Sequence, residues 1–197
     1  MAFRPATSVR IIGGNWNGRK IRIPTTVQLR PSGDRLRESL FSCLGGTLNG
    51  LHCLDLFAGC GALGLCAASR GAAHTTFVEK HRATAAALQQ LIDELAATAI
   101  ATVKATSARQ FLSTCSLQKL PPAKKFDVVF LDPPFADYNS DCAWAELLAT
   151  LRPHLKNNAR VYCESTRHFS LPDAWQQQTA RRTGNVYWQI LNPLSHD

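Results

Sequence analysis

The chain has 197 residues, of which 45% are hydrophobic, and a formal net charge of +8. This length suits one domain, or one domain with a small appendage, and the apolar fraction is enough to bury a core, so a disordered chain is not expected. No opening segment resembles a signal peptide, and no apolar run reaches the roughly 18 to 20 residues that span a bilayer, which predicts a cytoplasmic protein. The seven cysteines include no C-x-x-C pair, and we expect reduced thiols rather than a metal site.

Basic residues are concentrated near the N-terminus. Residues 1–40 hold eight Lys and Arg residues against two acids, so they carry +6 of the net charge of +8. A localised basic surface attracts polyanions, which favours RNA or DNA as a partner; a solvated face that only aids solubility is the alternative. Trp16, beside Arg19 and Lys20, either stacks on a base or packs back on its own turn.

The first predicted elements are a hairpin and a helix. Strands over 9–13 and 19–23 flank a turn rich in Gly and Asn, which is a hairpin signal. After a loop, Asp34 is expected to cap a helix over 35–44. The basic hairpin region, 1–33, is therefore predicted as an extension ahead of a larger domain, 34–197. In the helix, an apolar face is expected at Leu36, Leu40, Phe41 and Leu44, with Arg35, Arg37 and Glu38 off that face.

From residue 51 onward strands and helices alternate. This alternation predicts an α/β domain with a mostly parallel sheet and helices on both faces. Near the C-terminus, 174–182 and 185–191 flank a turn at Gly184 and predict an antiparallel hairpin that closes the sheet. The other predicted strands are 51–56, 75–79, 100–104, 126–131 and 159–163, and the predicted helices are 62–70, 81–97, 107–116 and 141–152.

A glycine-rich loop follows the first of these strands. Residues 54–64 read Leu-Asp-Leu-Phe-Ala-Gly-Cys-Gly-Ala-Leu-Gly, a G-x-G-x-x-G pattern between a strand and a helix. Glycines let a ligand approach the backbone at a helix N-terminus, although an ordinary strand-to-helix turn has a similar composition. Asp55 would repel a dinucleotide pyrophosphate and attract the amino group of a methionine-like moiety. Glu79, about 20 residues beyond the glycines, suits ribose hydroxyls or, equally, the dipole of the next helix.

A second motif, Asp132-Pro133-Pro134-Phe135, directly follows the apolar run 128–131. Neither proline can donate to a sheet, so the chain must leave it as a stiff loop whose carbonyl groups stay free. Asp132 and the Pro133 carbonyl together suit the two protons of an exocyclic amino group, and Phe135 offers a ring on which a base can stack. The alternative is a plain turn at the end of a strand.

Together the two motifs resemble those of Rossmann-like, S-adenosylmethionine-dependent methyltransferases that modify exocyclic amino groups. Segments 10–14, 18–20, 29–31 and 34–41 further resemble the N-terminal signature of the RsmD family, the bacterial 16S ribosomal RNA guanine-N2 methyltransferases. Two positions depart from the family pattern. Ser107 stands where many related enzymes carry an acid that contacts the adenine, and Ser32-Gly33 replaces a pair of threonines.

The resemblance implies a seven-stranded Rossmann-like sheet, S-adenosylmethionine as cofactor, no metal, and a monomer that acts on 16S ribosomal RNA within the small ribosomal subunit. It also implies that the strands ending at Leu56 and Leu131 are neighbours, so that cofactor and base face one another. The implied catalytic residues are Asp132, Pro133, Pro134 and Phe135, and the implied cofactor-binding residues are Asp55, Phe57, Gly59, Gly61, Gly64, Glu79, Ser107 and Ala108. The RNA-binding candidates are Arg10, Arg19, Lys20, Arg30, Arg35 and Arg37.

Three other functions stay open at this point. A DNA adenine-N6 methyltransferase needs the same acceptors, but the short chain has no obvious separate target-recognition domain. A nicotinamide-dependent dehydrogenase is supported only by the glycine pattern, and Asp55 argues against it. A non-catalytic RNA-binding protein needs only the basic segment. That function gives no reason for an acid and two prolines at the end of a strand.

Overall fold

The computed structural model describes residues 8–22, 33–118 and 121–194. The chain divides into two compact units, Met1–Ala108 and Arg109–Asp197. The strands are β1 Ser8–Arg10, β2 Lys20–Arg22, β3 His52–Asp55, β4 His74–Val78, β5 Ala101–Lys104, β6 Phe126–Leu131, β7 Leu155–Ser165, β8 Trp175–Thr183 and β9 Val186–Pro193. The α-helices are α1 Asp34–Cys43, α2 Ala62–Ser69, α3 Arg82–Glu94, α4 Ala108–Gln118 and α5 Asp141–Leu151.

Strands β3, β4 and β5 lie side by side and parallel in the first unit, in the order β5-β4-β3. The segments after parallel strands meet at the carboxyl edge of a sheet, where ligands bind in open α/β folds. Asp55 ends β3, Glu79 directly follows β4, and Ser107 follows β5. Three of the predicted cofactor residues are therefore brought to one edge.

The N-terminal hairpin of β1 and β2 is docked on the end of helix α2. Ser69 Oγ donates to the Gly13 carbonyl over 2.7 Å and accepts from the Trp16 N–H over 2.8 Å. Gly14 has a φ of +73°, and a Cβ there would collide with the Ser69 carbonyl. The hairpin thus belongs to the first compact unit, and the domain boundary at residue 33 stays a prediction.

Helix α1 differs from its prediction at two points. Gly33 is the N-cap, and Asp34 is the first helical residue. The apolar face is buried as predicted, but Arg37 is buried as well, with an exposed fraction of 0%. The prediction that Arg37 lies off the buried face is wrong, because residues four and seven positions apart share a helix face and so place Arg37 above Phe41 and Leu44.

The second unit contains the strand order β6-β7-β9-β8. Strand β6 is parallel to β7, whereas β9 is antiparallel to both β7 and β8. The predicted C-terminal hairpin is confirmed, and the seven strands from β3 to β9 form the predicted mostly parallel sheet. Strand β7 extends beyond the predicted 159–163, since it runs from Leu155 to Ser165 and so includes Glu164.

Some predictions fall on residues that the structure does not describe. They concern the loop after β2, including Arg30, and the end of the second predicted strand at Ile23.

All seven cysteines are free thiols. Among the described residues, no helix combines the length and the apolar character needed to cross a membrane.

Candidate functional site

Asp55 is buried at the carboxyl edge of the first unit. Its side chain is 2% exposed, and its Oδ2 accepts the Gly64 N–H over 2.8 Å. Burial raises the pKa of Asp55 to about 7; the Gly64 hydrogen bond lowers this pKa and the Glu79 carboxylate raises it. A buried carboxyl poised near neutrality gains most from a cationic partner, because a nearby positive charge favours its ionised form. This property fits the predicted contact with an amino group.

Glu79 holds the glycine loop in place. Its Oε2 accepts the Gly59 N–H over 3.0 Å, and its Oε1 accepts the His81 N–H over 2.7 Å at the start of helix α3. Glu79 is 8% exposed. The contact with the His81 N–H fits the expectation of an acid at the start of the next helix, and the contact with Gly59 was not predicted. Its contact with a ribose stays a prediction.

The three positions of the motif require glycine for different structural reasons. Gly59 and Gly61 adopt φ values of 52° and 82°, a left-handed backbone that favours glycine. Gly64 lies inside helix α2, where a Cβ would collide with the ring of Phe77 in β4. Packing against Phe77 and the N–H donated to Asp55 account for Gly64, whereas the turn accounts for Gly59 and Gly61.

Arg37 reaches the same region from helix α1. Its Nη2 donates to Asp34 Oδ1 over 2.7 Å, and the Asp34 side chain is 54% exposed. The Nε and Nη1 atoms of Arg37 are buried and have no hydrogen-bond partner in the described part of the chain. The guanidinium lies close enough to the glycine loop to lower the pKa of the Cys60 thiol, although burial dominates and raises this pKa to about 11. Cys60 is therefore a neutral thiol and a poor nucleophile.

The other predicted cofactor residues lie on the edge or in the loop. Phe57 is half-buried in the glycine loop. Ser107 is exposed after β5, and Ala108 is the half-buried first residue of helix α4. The Glu79 N–H donates to the Lys104 carbonyl over 3.1 Å, which ties the ends of β4 and β5 together.

The Asp-Pro-Pro-Phe loop follows β6 in the second unit. Pro133 is buried, Pro134 is exposed, and Asp132 and Phe135 are half-buried. The prediction that the carbonyl groups of this loop stay free is wrong for Pro134, whose carbonyl accepts the Asp137 N–H over 3.0 Å. The backbone therefore forms a turn over residues 134–137.

The chain beyond this loop is fixed by a ring cluster. Trp144 Nε1 donates to the Tyr138 carbonyl over 3.1 Å, and the Trp144 ring stacks on Phe169 with centroids 4.3 Å apart. Arg167 adds a hydrogen bond to the Asn139 carbonyl of 3.0 Å. The loop therefore leaves β6 and returns to helix α5 along a defined path, as a binding loop on a rigid scaffold requires.

The sequence pattern did not identify Glu164 as a site candidate. This acid is 4% exposed near the end of β7, and its Oε2 accepts the Tyr162 hydroxyl over 2.8 Å. Leu131 pairs with Cys163 in the parallel register, so Glu164 occupies on β7 the position that Asp132 occupies after β6. The charges of Glu164 and Asp132 both raise the pKa of Tyr162, after burial as the main cause. The available signal was an acid directly after the predicted strand 159–163, which is the same signal that identified Asp132 after the strand 126–131.

The predicted RNA-binding residues separate into three groups. Arg10, Arg19, Lys20 and Arg35 are exposed, and Arg10 is the cross-strand partner of Lys20 in the hairpin. Arg37 is buried and has no surface to offer to an RNA in this conformation. Arg30 lies outside the described residues. Trp16 is half-buried, and its backbone N–H donates a hydrogen bond to Ser69 Oγ.

The family model described as "Conserved hypothetical protein 95" matches residues 9–192. Over 193 residues the chain is 36% identical to Ribosomal RNA small subunit methyltransferase D of Escherichia coli strain K12, covering 92% of this chain and 88% of that protein. The chain belongs to the RsmD family. As a member of it, the protein is a methyltransferase.

Solved structures support the RsmD family fold. The structure of yhhF from Escherichia coli matches with a TM-score of 0.79 and 32% identity, and the match covers 96% of this chain and 99% of that one. The structure of SMU.776 complexed with SAH matches with a TM-score of 0.70 at 13% identity, over 98% of this chain and 57% of that one. This second likeness shows the fold alone, the Rossmann-like sheet of class I methyltransferases.

Proposed function

We propose that this RsmD family member transfers a methyl group from S-adenosylmethionine to the exocyclic N2 of a guanine in 16S ribosomal RNA. The observation that carries the proposal is the Asp132-Pro133-Pro134-Phe135 loop, which presents an acid, a backbone acceptor and a ring directly after a buried strand. The names of the relatives, small subunit ribosomal RNA methyltransferases, support ribosomal RNA as the substrate.

The first unit supplies the side chains that suit the methyl donor. Bound there, S-adenosylmethionine supplies an electrophilic methyl group on a sulfonium. Asp55 would accept a hydrogen bond from its amino group, and the Gly59–Gly61 turn would let the donor approach the backbone. Glu79 and the segment after β5 take the ribose and the adenine. The buried Asp55, with a pKa of about 7, fits a cationic partner, and that fit is an argument from this chain's own chemistry.

The second unit supplies the side chains that suit the base. Asp132 and the Pro133 carbonyl each accept a hydrogen bond from one N–H of the amino group, which favours a more pyramidal nitrogen with a directed lone pair. Phe135 stacks on the base, a contact worth roughly 1–3 kcal/mol. The base must be extruded from its surroundings to reach such a pocket. The protein would then contribute alignment of the reacting groups and exclusion of water.

Glu164 favours guanine over adenine. Enzymes that extract a base read it by hydrogen bonds to its Watson–Crick edge. On that edge guanine places an N1–H donor beside its amino group, whereas adenine places an acceptor there. A second carboxylate, next to Asp132 in the strand register, attracts the donor and repels the acceptor. Two acids at the ends of β6 and β7 therefore match guanine.

A labelling experiment tests the proposal. The purified protein is incubated with isotopically labelled S-adenosylmethionine and small ribosomal subunits from a bacterial strain that lacks its own RsmD family enzyme. We expect labelled N2-methylguanosine in the nucleosides of 16S RNA, detected by mass spectrometry. Duplex DNA is the matched substrate for the alternative, and labelled N6-methyladenine in that DNA would establish an adenine methyltransferase instead.

Calorimetry separates the remaining alternatives. We expect binding of S-adenosylmethionine and none of NAD. Preference for NAD would favour a dehydrogenase, and binding of neither ligand would favour a non-catalytic RNA-binding protein.

A further inference from the structure

Arg37 carries a buried positive charge that the protein satisfies only in part. Its side chain is 0% exposed, and its ion-pair partner Asp34, at 2.7 Å, has a side chain that is 54% exposed. Its Nε and Nη1 atoms are buried and have no hydrogen-bond partner among the described residues. A buried ion that is not fully paired destabilises the fold, so such a group points to a ligand that completes its hydrogen bonds when it binds.

The chemistry of the unused atoms defines that partner. A guanidinium has five N–H donors in a rigid planar fork and no acceptor, and the fork matches the two oxygens of a carboxylate. In Arg37 the Nε and Nη1 donors are unused, and each of them can form a two-donor edge of the fork together with Nη2. The missing partner is therefore an anion, such as a carboxylate, that accepts hydrogen bonds from these donors.

The position of Arg37 says which anion can reach it. The side chain projects from the buried face of helix α1, so the phosphates of an RNA on the outer surface cannot contact it in this conformation. It acts electrostatically on Cys60, a residue of the glycine loop, and Asp55 acts on the same thiol. A positive group and a negative group thus both act on one loop, which suits a zwitterion with an ammonium and a carboxylate.

We propose that Arg37 binds the carboxylate of the methionine part of the methyl donor, while Asp55 takes its amino group. This inference rests on the proposed use of S-adenosylmethionine. It gives helix α1 a role in the donor site and replaces the earlier assignment of Arg37 to the RNA.

Decarboxylated S-adenosylmethionine is the matched probe, because it differs from the cofactor in the carboxylate alone. Calorimetry compares the two ligands on the wild type and on the Arg37→Met and Arg37→Lys variants. We expect the wild type to bind S-adenosylmethionine roughly 10- to 100-fold more tightly than the decarboxylated form, as for a hydrogen bond between charged groups. Arg37→Met is expected to lose this preference, and Arg37→Lys to keep part of it.

Arg70→Met is the control. Arg70 lies in the same unit, but its Nε and Nη1 donate to the Ile12 and Gly46 carbonyls over 3.1 Å and 2.7 Å. This variant is expected to keep the wild-type preference within about twofold. Each comparison is a ratio within one variant, so a general loss of stability does not imitate the effect.

The outcomes separate the inference from the function on which it depends. If the wild type binds neither ligand, the proposed cofactor is wrong. If the wild type binds both ligands equally, or if Arg37→Met weakens both by the same factor, the cofactor stands and the role of Arg37 is overturned in favour of a structural one.

Discussion

Gly64 donates its backbone N–H to Asp55 Oδ2 over 2.8 Å, so the last residue of β3 and the first turn of helix α2 hold one another. The contact fixes the carboxylate beside the glycine loop but also removes it from water. Burial raises the pKa of Asp55 from 3.8 to about 7. Since the folded state then binds a proton more tightly than the unfolded state, this group stabilises the fold below pH 4, and that stabilisation is lost as pH rises to about 7.

Asp55→Asn should therefore reverse the pH trend at this position. The amide keeps an oxygen for the Gly64 N–H and has no charge to desolvate. We expect the variant to gain stability relative to the wild type, and to gain on the order of 2–3 kcal/mol more at pH 8 than at pH 5. Urea unfolding at the two pH values measures this difference. The same effect at both pH values would mean that the carboxyl titrates normally. The variant should also bind S-adenosylmethionine more weakly, because the partner of its amino group is gone.

Asp132→Asn should separate transfer from donor binding. Removing the charge that holds the amino group is expected to lower methyl transfer to small subunits by roughly 100-fold or more. Binding of S-adenosylmethionine, measured by calorimetry, should change by no more than about twofold. Asp127→Asn is the control, since Asp127 lies in the same strand and pairs with Lys156 at 2.8 Å. Loss of transfer and donor binding together would show that Asp132 only stabilises the loop.

Glu164→Gln should impair recognition of the base. Glutamine can still accept the Tyr162 hydroxyl, but it lacks the charge that attracts the guanine N1–H. We expect transfer to small subunits to fall by roughly 10- to 100-fold without a change in donor binding. Tyr162→Phe is the companion variant, because it removes the 2.8 Å hydrogen bond and leaves the carboxylate in place. Equal activity of Glu164→Gln and the wild type would remove Glu164 from the base site.

Arg10 and Lys20 form a cross-strand pair of exposed cations, and their joint replacement should change how RNA binding depends on salt. If both contact phosphates, the Arg10→Gln, Lys20→Gln variant should bind 16S RNA with a salt slope shallower by about 1.4 to 1.8 in a double-logarithmic plot. Lys124→Gln, Lys125→Gln changes the net charge equally at another place. Identical slopes for the two double variants would assign the hairpin charge to solubility.

Gly64→Ala tests whether packing explains the third glycine of the motif. The added methyl group meets the ring of Phe77, so we expect a loss of about 1–3 kcal/mol in unfolding free energy. Gly33→Ala is the matched control, since a Cβ at Gly33 meets no atom within 4 Å. Urea unfolding compares the two variants. A stable Gly64→Ala protein that fails to bind the donor would assign this glycine to the ligand instead.

The order of the elements could be predicted where a strand is a short apolar run that ends next to a charged residue, as β4 does before Glu79 and β6 before Asp132. Hydrophobic periodicity carries that information locally, so strand β6 was predicted with its exact bounds. The acids at the strand ends could be predicted as candidates for the same reason. Residue type alone does not show which face of a helix a side chain occupies. Arg37 was assigned to the surface by its charge, whereas its spacing from Phe41 and Leu44 placed it inside.

Glu164 shows the same limit in a strand. Its candidacy depends on the register between β6 and β7, which pairs Leu131 with Cys163. No residue near Glu164 in the sequence encodes that pairing, because register between parallel strands is set by the packing of the elements that connect them. The carbonyl of Pro134 is a smaller case, since its hydrogen bond to the Asp137 N–H depends on a turn that the two prolines did not specify.

The attachment of the hairpin to Ser69 has a mechanical consequence. Helix α2 begins at the glycine loop and ends at Ser69, which grips the hairpin through Gly13, Asn15 and Trp16. Eight helical residues form a rod about 12 Å long. The two strands at one end cannot pivot independently of the glycine loop at the other, so an RNA that bound the hairpin would lie at a fixed distance from that loop. The helix would then act as a spacer, and lengthening it by one turn would shift the contact by about 5.4 Å.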